Sequence, residues 1–108
     1  MKQSERKYRT GDVIFRESDP SESVFVIVKG NVELTKSGEK GPVMLAMLGP
    51  GEVFGEMGIL DRGLRSASAH AVGDTVVEET SRDDFLNAIK TEPTMALAIM
   101  GKLVERLR

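Results

Sequence analysis

The stretch Ser23-Val24-Phe25-Val26-Ile27-Val28-Lys29-Gly30-Asn31-Val32-Glu33-Leu34-Thr35-Lys36 decides the fold. Its first half is a run of β-branched and aromatic residues, too continuous for a strand with one wet face, so both faces are predicted to be buried. Gly30-Asn31 reads as a turn, and Val32–Lys36 alternates apolar and polar with period two, as a half-buried strand does. The same pattern continues outward. Upstream, Asp12-Val13-Ile14-Phe15-Arg16 is a short strand closed by Ser18-Asp19-Pro20-Ser21. Downstream, Ser37-Gly38-Glu39-Lys40-Gly41-Pro42 is a hairpin loop, and Val43-Met44-Leu45-Ala46-Met47-Leu48 is a strand ended by Gly49-Pro50-Gly51. Two further strands, near 66–72 and 74–79, meet at Gly73-Asp74. Short strands punctuated in this way specify a mainly β fold, here a jelly-roll barrel over about residues 9–80.

The period changes in the last third, the helical part at about 81–108. Ser81-Arg82-Asp83-Asp84 has the form of a capping box, with Ser81 as cap, and Phe85, Leu86 and Ile89 follow on one helical face. Thr91-Glu92-Pro93 opens another helix, proline being tolerated in the first turn. Its apolar residues Met95, Ala96, Leu97, Ile99, Met100, Leu103, Val104 and Leu107 cover about twice the roughly 100° arc that one neighbour requires. Two arrangements satisfy that arc: a helix wedged in a groove, or one shared between the roll and a second subunit.

The 108 residues have room for one domain and one core. With 40% hydrophobic and 30% charged residues the composition is that of a globular domain. No apolar run approaches the roughly 20 residues of a membrane span, and the polar, basic start Met1–Lys7 is no secretion signal, so a cytoplasmic location is expected. Cysteine is absent, which excludes disulfides, thiolate nucleophiles and zinc-thiolate sites. The one histidine, His70, sits in a strand-like run and cannot build a multi-histidine metal site or suggest a triad. A net charge of -2 argues against a general nucleic-acid surface. No metal site, no cofactor and no catalysis are expected.

The residues that carry chemistry lie in Phe54-Gly55-Glu56-Met57-Gly58-Ile59-Leu60 and Arg65-Ser66-Ala67-Ser68. Gly55 and Gly58 let the backbone turn tightly into a short helix and approach a ligand. Amides at such a helix start suit an anion. Arg65 offers a fork to phosphate oxygens, each charge-assisted bond contributing on the order of 1.5–3 kcal/mol. Glu56 would repel a phosphate but can accept from a ribose hydroxyl. Taken as dipeptides alone, Gly-Glu and Arg-Ser fit a Glu56–Arg65 ion pair holding a loop at least as well.

The longer string reverses that balance, because it resembles the cyclic nucleotide-binding domain family. That family includes the bacterial catabolite activator proteins, the regulatory subunits of cyclic-AMP-dependent kinase and the cyclic-nucleotide-gated channels. Its phosphate-binding cassette stands here as Phe54 through Ser68, with the Glu56-to-Arg65 interval of the kinase and channel branches. Gly11–Phe15, Val24–Leu34 and Leu48–Phe54 are similar to the family's strands before the cassette. The resemblance implies that Glu56 accepts from the ribose 2′-OH and Arg65 neutralises the cyclic phosphate. The amides of Gly55, Met57, Gly58, Ser66 and Ala67 become candidate donors. Leu34, Leu45, Ala46, Leu48, Val53 and Phe54 become candidate pocket wall, although each could equally be core, Leu48 and Phe54 above all. Ile59 would pass ligand binding on to the helix holding Phe85 and Leu86.

Three departures stand out. Ser18 occupies a position where the family often has glycine, and Ser66, after the arginine, leaves the base open between cyclic AMP and cyclic GMP, with cyclic AMP favoured. The chain stops at Arg108, short of the long helix that caps the base in the catabolite activators, so either a stand-alone sensor or a piece of a larger protein is expected. The sequence therefore implies a cyclic nucleotide sensor that performs no chemistry, signalling to a second copy through the C-terminal helix or to an effector domain. It would contact neither nucleic acid nor membrane by itself. The rival reading is a protein-interaction module of the same fold that has lost its ligand.

Overall fold

A computed structural model describes residues 3–57, 63–94, 96–98 and 101. Its strands are β1 (Ser4–Tyr8), β2 (Val13–Phe15), β3 (Ser23–Gly38), β4 (Gly41–Leu48), β5 (Val53–Phe54) and β6 (Ser68–Ser81), followed by helix α1 (Arg82–Thr91). They form one antiparallel sheet in the order β1-β6-β3-β4, with β2 also on β6 and β5 also on β3.

Length explains why this sheet rolls. A straight 16-residue β3 would run roughly 50 Å, yet the longest dimension of the described molecule is 42 Å. β3 therefore bends and serves two neighbourhoods. Phe25 and Val26 pair with β5, while Val32 to Gly38 pair with β4. β6 does the same, pairing with β2 at Ala69 and His70 and with β1 from Thr75 to Glu79.

Glycines sit at the bends. The register of β3 against β6 shifts between Ile27 and Lys29 and again between Lys29 and Asn31, and Gly30 there has φ +86°. A bulge bends a strand without ending it. The turn expected at Gly30-Asn31 is thus a kink inside one strand, and the break expected at Gly73-Asp74 lies within β6, where Gly73 has φ +74°. Both glycines carry the chemistry of a turn, but cross-strand hydrogen bonds hold the chain on course. The hairpin loop shrinks to Glu39-Lys40, with Gly38 already paired to Gly41.

A Cβ at position 30 would lie 2.5 Å from the Asp74 carbonyl oxygen and 2.8 Å from the Thr75 Cα, both backbone atoms. Gly30→Ala should therefore cost well over the roughly 1–2 kcal/mol of a left-handed L-residue, whereas Gly11→Ala, at the same φ with nothing within 4 Å, should cost no more than that. Equal melting temperatures for the two variants would refute the close approach.

β1 has no counterpart in the sequence reading. Ser4-Glu5-Arg6-Lys7-Tyr8 is mostly exposed and charged, so no apolar period marks it. Its ladder to β6 makes it a strand, and its charges suit a sheet edge.

The core gathers Phe25, Ile27, Val32, Leu34, Leu48, Phe54, Ala69 and Val77, with Tyr8, Ile14, Phe15 and Ala46 packed against it. Phe25 and Phe54 stack at 5.1 Å, and Phe15 leans on both at 5.8 and 5.9 Å. A second cluster joins Val24 to Phe85, with Val53, Leu86 and Ile89 beside it, and this seats α1. Ser81 caps that helix, its hydroxyl accepting from the Asp84 amide at 3.2 Å. Beyond α1 the backbone is helical at 93–94, 96–98 and 101, and Leu97 is exposed. Met95, Ile99, Met100, Leu103, Val104 and Leu107 lie outside the described residues. Among those described, no helix is long and apolar enough to cross a membrane.

Candidate ligand-binding site

Residues 49–57 are delivered by a braced turn. The Glu52 carboxylate accepts from the Gly49 amide at 2.6 Å, Gly51 N donates to Ile27 O at 2.7 Å, and Ile27 N to Glu52 O at 3.0 Å. β5 then pairs Phe54 with Phe25, so the chain leaves the sheet at Gly55 in a defined place. Gly55 has φ +85°, and a Cβ there would stand 2.6 Å from the Arg65 guanidinium. Only glycine permits both that φ and that approach. Glu56 and Met57 begin a helical turn. Glu56 is 1% exposed and Met57 is exposed. Gly58 and Ile59 lie outside the described residues.

The segment carrying Arg65 is laced to the turn after β2. Arg65 N donates to Asp19 O and Ser18 N to Arg65 O, both at 2.8 Å, Ser21 N donates to Gly63 O at 2.7 Å, and Glu17 N to Ser68 Oγ at 2.9 Å. Ser18 adopts φ +74°, which explains why glycine suits that position; the turn is kept with serine at some backbone strain. Arg65 itself is 6% exposed. Its Nη1 donates to Gly55 O at 2.9 Å and its Nη2 to Ser23 Oγ at 3.4 Å. Burial pulls the guanidinium below its ordinary pKa, while Glu79, Asp19, Glu22 and Glu56, in decreasing order, hold it up.

Arg65 Nε is buried and meets no acceptor among the described residues. A buried donor without a partner is costly, and an oxyanion would satisfy it. A small recess of ≈ 30 Å³ adjoins Arg65, lined by Phe15, Leu34, Gly55, Arg65, Ser66 and Ala67. It is far smaller than the roughly 300–1,000 Å³ of a site enclosing a drug-sized molecule, and has room for a small polar group at most. A wider groove that Arg65 also lines carries Glu22, Glu79 and Asp84 and would repel an anion. Of the two, the recess is the better suited to an anion.

The structure brings Leu34, Gly55, Arg65, Ser66 and Ala67 to this recess. Glu56 and Met57 follow Gly55 in the chain, and Ala46 pairs with Leu34 in the ladder. Leu48 and Phe54 belong to the main core and Val53 packs toward α1. Leu45 is 54% exposed, on the edge strand β4. His70 lies in β6 opposite Val13 and Glu33. The residue the sequence reading missed is Phe15, taken only as part of the first strand. No motif links it to Arg65, because the two meet only through tertiary contacts, the β2–β6 pairing and the hydrogen bonds of the turn after β2. No group of three or more histidine, aspartate or glutamate side chains able to hold a metal occurs among the described residues.

Residues 5–92 match the family model of the cyclic nucleotide-binding domain. The cyclic AMP receptor protein of Thermus thermophilus is 41% identical over 104 residues, 95% of this chain and 48% of the relative. The crystal structure of the Thermus thermophilus catabolite activator protein superposes with a TM-score of 0.86 at 40% identity, covering 98% of this chain and 50% of that one. The regulatory domain of Toxoplasma gondii PKA, co-crystallised with cAMP, superposes with a TM-score of 0.77 at 25% identity over 86% of this chain and 37% of its own. The chain thus spans about half the length of the Thermus proteins that it matches.

Proposed function

The chain belongs to the cyclic nucleotide-binding domain family, and from that premise we propose that it reversibly binds a 3′,5′-cyclic nucleotide, cyclic AMP before cyclic GMP, and performs no reaction on it. The observation that carries this reading is the buried Arg65 guanidinium, with an unsatisfied Nε, at a recess whose other walls include Gly55, Ser66 and Ala67. A cyclic phosphate supplies the missing acceptor in charge-assisted form. In this reading Arg65 takes the phosphate, the amides of Gly55, Met57, Gly58, Ser66 and Ala67 donate to phosphate or ribose, and Glu56 accepts from the 2′-OH. Leu34 and Ala46 form apolar wall near the sugar, and the exposed Leu45 is available to the base.

Coupling to an output runs through packing. Val53, two residues before Gly55, lies against the cluster that seats Phe85, Leu86 and Ile89 of α1. A ligand that reorders the cassette therefore acts on the seat of the helix, to the extent that its affinity differs between the two arrangements. The recipient of that change is a second copy or an effector domain beyond this one.

Isothermal titration with cyclic AMP and cyclic GMP tests the reading. A dissociation constant in the micromolar range, about 8 kcal/mol of binding free energy, is expected for cyclic AMP. Absence of heat with both nucleotides, under conditions where the chain is folded, would remove the proposal.

A further inference from the structure

Arg65 does not hold its place by charge pairing alone. Its Cζ lies 4.1 Å from the centroid of the Phe15 ring and 5.6 Å from that of Phe25. The nearer ring reaches it through an irregularity in β2. Val13 pairs with His70 and Phe15 with Ala69, so two steps along β2 match one along β6. Such a bulge re-aims the side chain that follows it. The opposing residue is the small, fully buried Ala69, and the turn after β2 is bonded to the Arg65 backbone on both sides. β2 and the turn after it thus grip Arg65 twice, by its backbone through residues 18 and 19 and by its guanidinium through the ring of Phe15.

We infer that Phe15 is a positioning residue for anion binding: its ring face holds the Arg65 guanidinium in place at the recess that both residues line. The chemistry favours a ring over a carboxylate for this task. A carboxylate clamp would occupy the N–H donors and compete with an incoming phosphate. A ring attracts the cation through its face and leaves the donors in the guanidinium plane available. Phe15 lines the same recess, so the group that orients the arginine also excludes water from the anion. This assignment rests on the reading of Arg65 as the phosphate partner, and it adds a residue from outside the cassette.

The test combines two changes at position 15 with two readouts. Phe15→Leu keeps the apolar bulk and removes the ring. A trifluorinated phenylalanine at position 15 keeps the shape and depletes the negative ring face. In titrations with cyclic AMP, both should bind roughly ten-fold or more weakly, with thermal melts verifying that each is folded. Wild-type affinity in the fluorinated chain would overturn the positioning role, since a residue acting by shape alone would be insensitive to ring charge. The second readout needs no ligand. The Arg65 Nε–H proton resonance of the free protein should be protected from solvent exchange, and should lose that protection in both changed chains. Unchanged protection in both would also overturn the role. If the unaltered chain fails to bind either nucleotide, the functional reading falls, while the Nε–H signal still decides whether Phe15 holds the arginine.

Discussion

Arg65→Ala should weaken cyclic AMP binding on the order of 100-fold or more while leaving a folded domain. Two charge-assisted bonds at about 1.5 kcal/mol each amount to about 3 kcal/mol, and every 1.4 kcal/mol is about ten-fold in affinity. The buried position strengthens the effect, because the anion is held where water cannot replace the lost donors. Arg65→Lys should fall between the parent and alanine. It keeps the charge but has no planar fork, and a flexible ammonium cannot donate to Gly55 O, Ser23 Oγ and an anion with the same geometry. Titration of the three proteins side by side is the measurement. An alanine variant that binds as the parent does would show that the phosphate lies elsewhere, in which case the backbone amides of the cassette would have to carry it alone.

Phe54→Ala should be the most damaging single change to stability. Phe54 is fully buried, stacked on Phe25 at 5.1 Å with 17° between the ring planes, and in contact with Phe15. Truncating a buried phenylalanine costs about 3–5 kcal/mol, against a total of about 5–15 kcal/mol for a domain. At about 4–8 °C per kcal/mol for a chain of this size, the melting temperature should drop by at least about 12 °C. Leu45→Ala, at a side chain more than half exposed, should stay within about 0.5 kcal/mol of the parent. Urea denaturation of both variants gives the comparison, and a similar midpoint for the two would contradict the placement of Phe54 in the core and Leu45 at the surface. Phe54→Ala also removes a ring from the group that supports Phe15, so cyclic AMP affinity should fall in the fraction that remains folded.

Much of this was legible in the residues. The continuous apolar run Val24–Val28 announced a strand buried on both sides, which holds at Val24 and Phe25 but not at Val28, 49% exposed; the alternation after Asn31 announced a half-buried strand, and Ser81 the start of a helix. These signals are local: side-chain chemistry at a period of two or a cap three residues from its acceptor. The family membership was legible for the same reason, since the cassette from Phe54 to Ser68 is contiguous. The strand Ser4–Tyr8 was not, because its hydrogen bonds come from β6, more than sixty residues away, and its own side chains carry no period. The glycines at 30 and 73 misled in the other direction. Their backbone conformation is that of a turn, and only the partner strand turns it into a bend.

By itself the sequence determined the mainly β class, the capped helix after residue 81 and the pairing of a carboxylate with an arginine in one cassette. The tertiary structure alone decided which apolar residues are buried in the core and which are exposed, and it decided what packs against the arginine. Phe15 and Arg65 meet because a bulge in β2 turns one ring inward against β6. That contact belongs to the register between two strands far apart in the chain, and register is a property of the folded sheet that no single stretch of residues contains.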